Sequence, residues 1–353
     1  MRILISGACG FAGTTLARTW VERGAGHTLV GVDNLSRPGS ETNRRALRQL
    51  GVTVIHGDIR MASDFESLPQ VDWVVDAAAK PSVRAGVDGL TSPRQLIEHN
   101  LFGTVNMLEY CRRHGAGFVL LSTSRVYSIS QLAQVRVAVA NGAFRPIQEQ
   151  PMPEVSLDGV KEGFSTAPPL SLYGTTKLAS EQLALEYGNA FGFPVWVNRC
   201  GLLAGPGQFG RHDQGIFSYW IHSWAARRPL SYIGFDGTGH QVRDCLHPRD
   251  LVSLLDRQMS AGDIDAPRVV NVAGGTASAV SLKQCSEWCA NRFGSHRVSA
   301  VAEERAFDIP WLVLDSAVAQ RQWGWAPETG RHAVFEEIAA HAEAHPDWLE
   351  LTQ

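Results

Sequence analysis

The sequence predicts an α/β fold, a doubly wound parallel sheet with a smaller C-terminal substrate-binding lobe. Three observations carry this. Glycines at 7, 10 and 13 sit between an apolar strand pattern and a helical one. The next strand pattern ends in an acid, Asp33. Strand and helix patterns then alternate, which is how a parallel sheet is written in sequence. The 353 residues, 44% of them hydrophobic, suffice for one large α/β unit or two domains.

Composition narrows the function. A formal charge of −3 leaves no basic footprint, so nucleic acid is not an expected partner. Glycines break the apolar start "MRILISGACGFAG", which does not read as a signal peptide, and no run is long enough to predict a membrane span. The six cysteines, at 9, 111, 200, 245, 285 and 289, form no C-x-x-C. Cys285 and Cys289 lie one helical turn apart without a histidine nearby, and read as core residues rather than half of a metal site. No metal is expected. Reduced thiols without an export signal predict the cytoplasm.

"RILIS" reads as the first strand and "LARTWVERG" as the body of the helix that follows. In G-x-x-G-x-x-G, Gly7, Gly10 and Gly13 let the backbone approach a pyrophosphate. The helix start at Phe11, Ala12 and Gly13 offers free N–H groups and a partial positive charge. "HTLVGVDN" is the second strand, with Asp33 and Asn34 about twenty residues on, where such sites place an acid. A carboxylate there binds ribose hydroxyls and repels a 2′-phosphate, which favours NAD over NADP. Arg37 opposes that preference without reversing it.

"RALRQLG" predicts a helix stopped by Gly51, "VTVIHGD" a strand ending in Asp58, and "VDWVVDAAA" another. Ligands of such sheets lie beyond the carboxyl ends of the strands, so Asp58, Ile59, Ala77, Ala78 and Ala79 are expected on the cofactor side. "RQLIEHNLFGTVNMLEYCRRHG" predicts one long helix ending at Gly115. Its Asn100 falls on the apolar face. A buried Asn must be hydrogen-bonded, either to structure or to an active-site water, and it is counted with the cofactor-side residues.

"GFVLLSTSRVY" predicts a strand with Ser122, Thr123 and Ser124 at its carboxyl end. From Ser171 a helix follows, on which Tyr173 and Lys177 are i and i+4 and share a face. A phenol with pKa near 10 is a poor base at neutral pH. A lysine ammonium nearby and an oxidised nicotinamide would lower it. A Ser or Thr hydroxyl can then hold the substrate oxygen, and this trio can move a proton on and off a sugar hydroxyl. A catalytically silent NAD sensor would have no use for it.

G-A-C-G-F-A-G, Asp33-Asn34, Asp58-Ile59, S-T-S-R-V-Y and Y-G-T-T-K together resemble the extended short-chain dehydrogenase/reductases that act on nucleotide sugars, and the resemblance runs through nearly the whole chain. It implies a Rossmann sheet, NAD as cofactor and a nucleotide-sugar substrate. It also implies a homodimer through a four-helix bundle of the Asn100 and Tyr173 helices. The catalytic trio would be Thr123, Tyr173 and Lys177, with Tyr173, Lys177 and Cys200 also beside the cofactor. The family's 4,6-dehydratases carry Asp-Glu after the hydroxyl and its decarboxylases a Glu. Ser124-Arg125 has no carboxylate, which leaves epimerisation: oxidation at one carbon and hydride return to the opposite face.

"DNLSRPGSETNRRAL", "HGDIR", "AGPGQFGRHDQG" and "GTGHQVRDCLHPRD" further resemble the subgroup that epimerises CDP-linked deoxyhexoses at C2. UDP- or dTDP-sugar 4-epimerisation is the alternative. By that resemblance Lys80, Ser82, Thr123, Gln208, Asp213 and Gln214 meet the sugar and Arg243 meets the diphosphate, with a surface or interface ion pair as Arg243's other reading. Several positions depart from the family: Asp76 for a His, Lys80 for a Gln, Ser128 and Ala204 for a Gly and a Tyr, and Gly207 for an Arg. Residues 129–169 exceed a simple connection and read as a candidate lid. Residues 1–199 and 241–273 are expected to form the NAD-binding domain, and 200–240 and 274–353 the sugar-binding lobe. Trp220, Trp224, His247 and Asp250 read as core and loop anchors.

Overall fold

In the computed structural model, which describes residues 1–211, 214–261, 264–303 and 307–351, seven strands form one parallel sheet. They are β1 (Arg2–Ser6), β2 (Thr28–Asp33), β3 (Thr53–His56), β4 (Trp73–Asp76), β5 (Gly117–Thr123), β6 (Val195–Cys200) and β7 (Val269–Val272). Their spatial order is 3-2-1-4-5-6-7. The chain therefore winds one way from β1 and the other way from β4, and the crevice between those two strands is where such sheets bind ligands. The strands read as unbroken apolar runs because both faces are covered. Trp20, Trp196 and Trp325 fill one side, and Tyr110, Phe118 and Phe193 the other.

Four helices position the crevice: α1 (Phe11–Glu22), α2 (Ser40–Gln49), α3, and α4 (Leu172–Phe191). The predicted long helix α3 is two α-helical pieces, Pro93–Ile97 and Gly103–His114, joined by a π turn at Glu98–Phe102. Asn100 lies in that turn, and its carbonyl accepts the hydroxyls of Thr104 at 3.0 Å and Ser180 at 3.2 Å. Two predicted strands end early. The chain leaves β3 after His56, where the Asp64 carboxylate takes the Asp58 amide at 2.8 Å. It leaves β4 at Asp76, because the Ala77 and Ala78 amides turn to the Ser6 hydroxyl at 3.1 and 3.0 Å. Asp58 and Ala77–Ala79 are therefore loop residues beyond the strand ends.

Residues 129–169, the candidate lid, are tied to the C-terminal part of the chain. Asn141 and Gly142, at φ 51° and 71°, form a two-residue hairpin turn between Val137–Ala140 and Ala143–Pro146. Ser281 Oγ donates to the Gly142 carbonyl at 2.7 Å, Gln284 Nε2 to the Asn141 carbonyl at 2.9 Å, and the Phe144 amide to the His240 carbonyl at 2.9 Å. Val135, Val155 and Phe164 share a core with Ile309 and Trp311. Val242–Arg243, expected inside the dinucleotide unit, pairs instead with Val280–Ser281 and Trp311–Leu312 in a small separate sheet. The return to the main sheet comes later, with the helix Leu251–Ala261 and then β7. Trp220 and Trp224 are core residues, each 2% exposed.

Ser171 caps α4, its Oγ accepting the Gly174 amide at 3.0 Å. A Cβ at Gly174 would lie 2.2 Å from the Arg125 carbonyl oxygen, so only glycine lets the first turn of α4 sit on the end of β5. Gly174→Ala is expected to cost about 1–3 kcal/mol of stability, read as a lower denaturation midpoint. It should also cut turnover, since Tyr173 is its neighbour.

Candidate active site

The glycine turn is built for close approach. Gly7 has φ 61°, and a Cβ there would lie 2.8 Å from the Ala78 Cα. A Cβ on Gly13 would lie 2.4 Å from the Gly7 carbonyl. Gly10 is the N-cap of α1 and no side chain caps the helix, so the orphan amides of its first turn, at Phe11, Ala12 and Gly13, face outward. Asp33 folds back over this turn, accepting the Cys9 amide at 2.9 Å and the Leu35 amide at 2.8 Å. Burial raises its pKa, and those amides oppose the rise. Asn34 Nδ2 donates to Asp58 at 3.1 Å. Arg60 clasps the same carboxyl and holds it well below the usual range. The Ile59 side chain closes on Gly103. An anion cradle, an acid beside it and an apolar shelf fit a dinucleotide.

Asn100 braces the loop after β4. It is 1% exposed. Its Oδ1 accepts the Lys80 amide at 2.8 Å, while Nδ2 donates to the Lys80 carbonyl at 3.3 Å and Thr176 Oγ1 at 3.2 Å. The amide is thus committed to the protein and ties the loop after β4 to α4.

Thr123, the last residue of β5, lies in register with Cys200, the last of β6. Thr123 Oγ1 accepts the Arg125 amide at 3.2 Å. Tyr173, Lys177 and Glu181 stack on successive turns of α4, exposed by 7%, 1% and 0%. A nearby ammonium is expected to lower the phenol. In the protein alone burial outweighs this and pushes Tyr173 up to about 12, against the Thr123 hydrogen bond and the Arg125 charge. Burial lowers Lys177, and Asp76, Glu181 and Cys200 oppose that. Burial also pushes the Cys200 thiol up to about 12.

On the substrate side, the Lys80 pKa is lowered by burial and by the charges of Arg37, Arg60 and Arg211, which places four cations around one end of the crevice. Arg37 donates to Gln214 Oε1 at 3.0 Å and to the Phe209 carbonyl at 2.8 Å, tying the loop after β2 to the segment predicted to hold the sugar. Gln208 is 7% exposed and donates to the Leu203 carbonyl at 2.8 Å. Its Oε1 is buried and accepts no hydrogen bond among the described residues. Ser82 sits half-buried beyond β4, its Oγ accepting the Arg84 amide at 3.1 Å. Arg243 pairs with Asp308 at 3.3 Å and donates to the Val242 carbonyl at 2.7 Å. Asp213 lies outside the described residues.

Sequence reasoning missed a buried ion pair behind the trio. Glu181 accepts Arg199 Nη2 at 2.7 Å and Nε at 3.1 Å on both oxygens, and it also accepts the Ser122 hydroxyl. Arg199 reaches Tyr127 Oη at 3.4 Å, and Tyr127 donates to Asn271 at 2.6 Å. The signal was available in Glu181's place one turn beyond Lys177, on the same face. His247 and Asp250 are loop anchors: Asp250 accepts the Thr329 amide at 2.8 Å and its hydroxyl at 2.7 Å. No cluster of three His, Cys, Asp or Glu among the described residues could hold a metal. No described helix is long and apolar enough to cross a membrane.

A Rossmann sheet with a glycine cradle at one end and a buried Thr-Tyr-Lys trio beside it defines an NAD-dependent enzyme of the extended short-chain dehydrogenase/reductase type. The profile of the NAD dependent epimerase/dehydratase family matches residues 3–273, and the chain belongs to that family. It is 28% identical over 298 residues to CDP-paratose 2-epimerase from Salmonella typhi, covering 80% of this chain and 81% of that protein. It is 24% identical over 358 residues to UDP-glucose 4-epimerase from Corynebacterium glutamicum, covering 98% and 97%. The fold matches UDP-glucose 4-epimerase from Bifidobacterium longum, solved with NAD⁺ and UDP, at TM-score 0.79 and 20% identity, covering 99% and 100%. It matches UDP-glucuronic acid 4-epimerase from Bacillus cereus at TM-score 0.76 and 21% identity, covering 98% and 99%. Its cofactor is NAD and its substrates are nucleotide sugars.

Arg199→Met would leave the Glu181 carboxylate buried without its cation. A loss of about 3–5 kcal/mol is expected, measured by chemical denaturation.

Proposed function

We propose that the chain epimerises a nucleotide sugar, inverting C2 of a CDP-linked deoxyhexose. The observation that carries the epimerase reading is Arg125, rather than a carboxylate, just beyond β5, its amide donating to Thr123 Oγ1 next to the buried Tyr173. Water elimination needs a second acid and base next to the reacting carbon, and this position supplies a guanidinium instead. The CDP-C2 assignment is supported by the resemblance of the sugar-side stretches and by the identity with CDP-paratose 2-epimerase. UDP-sugar 4-epimerisation is the second reading, favoured by the nearly full-length match to UDP-glucose 4-epimerase.

NAD, when bound, would supply the hydride acceptor and, once reduced, the hydride donor. Thr123 holds the sugar hydroxyl and Tyr173 Oη takes its proton, then gives it back when the carbonyl is reduced from the other face. Lys177 keeps a positive charge behind the phenol, so that the phenolate is reachable despite burial. The backbone of Gly7, Gly10, Phe11, Ala12 and Gly13 would hold the pyrophosphate and Asp33 the adenosine ribose. Ala77–Ala79 and Cys200 would close the nicotinamide side, and Lys80, Ser82, Gln208, Asp213 and Gln214 the sugar side. Two copies would pair through α3 and α4, where Phe102 and Phe191 are 53% and 52% exposed.

CDP-, UDP-, GDP- and dTDP-hexoses, incubated in D₂O with enzyme purified with its own cofactor, should reveal one substrate inverted at one carbon. Neither net NADH nor deuterium should appear at that carbon, as read by NMR. Accumulating NADH without inversion would make the protein a dehydrogenase. Tyr173→Phe is expected to abolish turnover while retaining NAD, and an active Phe variant would refute the proton role. Sedimentation should give a dimer that Phe102→Asp converts to monomer.

A further inference from the structure

The segment that carries Gln208 and Phe209 has little regular structure of its own. Gly207 and Gly215 bracket it at φ 74° and 64°, a region that favours glycine. Within it the Gly210 amide donates to the Gln208 carbonyl at 2.9 Å, and the Arg211 amide to the Gln214 carbonyl at 2.7 Å. A loop of this kind keeps one shape only where other elements grip it. Arg37 does so through the Phe209 carbonyl and Gln214.

A second grip comes from far along the chain. Trp348 opens the short helix Trp348–Leu351 and is 6% exposed. Its Nε1 donates at 3.0 Å to the Gln208 carbonyl, an oxygen that also accepts the Ser218 hydroxyl at 3.3 Å. Its indole stacks on the Phe209 ring, with 5.6 Å between centroids and 14° between planes. The Arg37 guanidinium lies 5.6 Å from the centroid of that same ring. Phe209 is thus gripped by an indole and a cation, both of which favour an aromatic partner.

The indole is itself held. His341, on the helix Arg331–Ala344, meets it edge-on at 4.8 Å and 84°, and His345 stacks on His341 at 4.3 Å. His341 Nδ1 lies 3.3 Å from His222 Nε2, on the helix Ile216–Ala225. Burial pushes His222 down to about 3 and His341 to about 4, so both rings are neutral and one can donate to the other. Phe217 and Phe335 pack between the same two helices, 5.5 Å apart. A Cβ at Gly207 would come 3.8 Å from His341 Nε2, so the loop turns against the imidazole that braces the indole.

Resting on the proposed sugar side, we infer that Trp348 is a positioning residue, the prop that seats the Gln208–Phe209 segment for the nucleotide sugar. It fixes the backbone of Gln208 and the ring of Phe209 from behind and takes no part in hydride or proton transfer. Its contribution therefore falls on substrate binding. Trp348 and both histidines of its helix lie beyond residues 3–273, the part matched by the family profile. The prop is accordingly a feature of this chain's own C-terminal elements.

The test compares wild type with Trp348→Ala, Trp348→Leu and Trp348→Phe, each full-length and carrying its NAD. Amide hydrogen exchange of residues 203–211 is read first, without any sugar. It should quicken about tenfold in the Ala and Leu variants, with β5 and α4 unchanged, and stay near wild type in the Phe variant, which keeps the stack. With the sugar found by the nucleotide panel, KM should rise about tenfold in the Ala and Leu variants while kcat changes less than about threefold. Phe should restore KM. Leu refills much of the indole's volume and gives the same reading should Ala not fold. Unchanged exchange at 203–211, loosening spread evenly over the sheet, a loss confined to kcat, or failure of both variants to fold would overturn the proposal. A panel in which no sugar turns over would sink the epimerase reading, and exchange alone then decides whether Trp348 holds the segment.

Discussion

The site depends on burying the Tyr173–Lys177–Glu181 face of α4 against the carboxyl ends of β5 and β6. A parallel sheet offers such a surface only where its strands stop, and there the strands end in Thr123 and Cys200. Placing a phenol, an ammonium and a carboxylate in that seam is costly unless each is matched. The Arg199–Glu181 pair meets much of this requirement and fixes the rotation of α4. Gly174 then sets how closely the helix can seat.

The pKa directions carry a mechanistic lesson. A tyrosine pushed up to about 12 is no base in the protein alone. The same burial that disfavours phenolate also strengthens any charge placed nearby, because the local dielectric is low. The trio is therefore poised by the loaded site rather than by its own side chains. A phenol that stays protonated until a cationic ring arrives does not act on sugars prematurely.

The sheet was legible because both of its faces are buried, and parallel strands then read as apolar runs between glycine stops. The trio was legible because i, i+4 spacing fixes a shared face whatever the context. Asn100 was only half legible. Its burial was foreseen, but its partner, the Lys80 backbone, belongs to a loop whose path no periodicity reveals. Residues 129–169 were half legible for a related reason: length suggested a lid, and the Asn141-Gly142 pair encoded a hairpin whose anchors lie far along the chain at Ser281 and Gln284. Arg243 carried two readings, and its partner Asp308, 65 residues on, was invisible to spacing. Isolated polar residues on loops are the least legible of all, because their partners are chosen by topology.

Arg37 joins the loop after β2 to Phe209 and Gln214, which the proposed function places on the sugar side. A single side chain thus spans both halves of the crevice. By thermodynamic reciprocity, whatever free energy a ligand on the sugar side contributes through this contact is returned as tighter holding on the dinucleotide side, and the converse. An enzyme whose intermediate is a ketone must not lose its reductant in mid-cycle. A strut between the two compartments makes the filled state of one the condition for retention in the other.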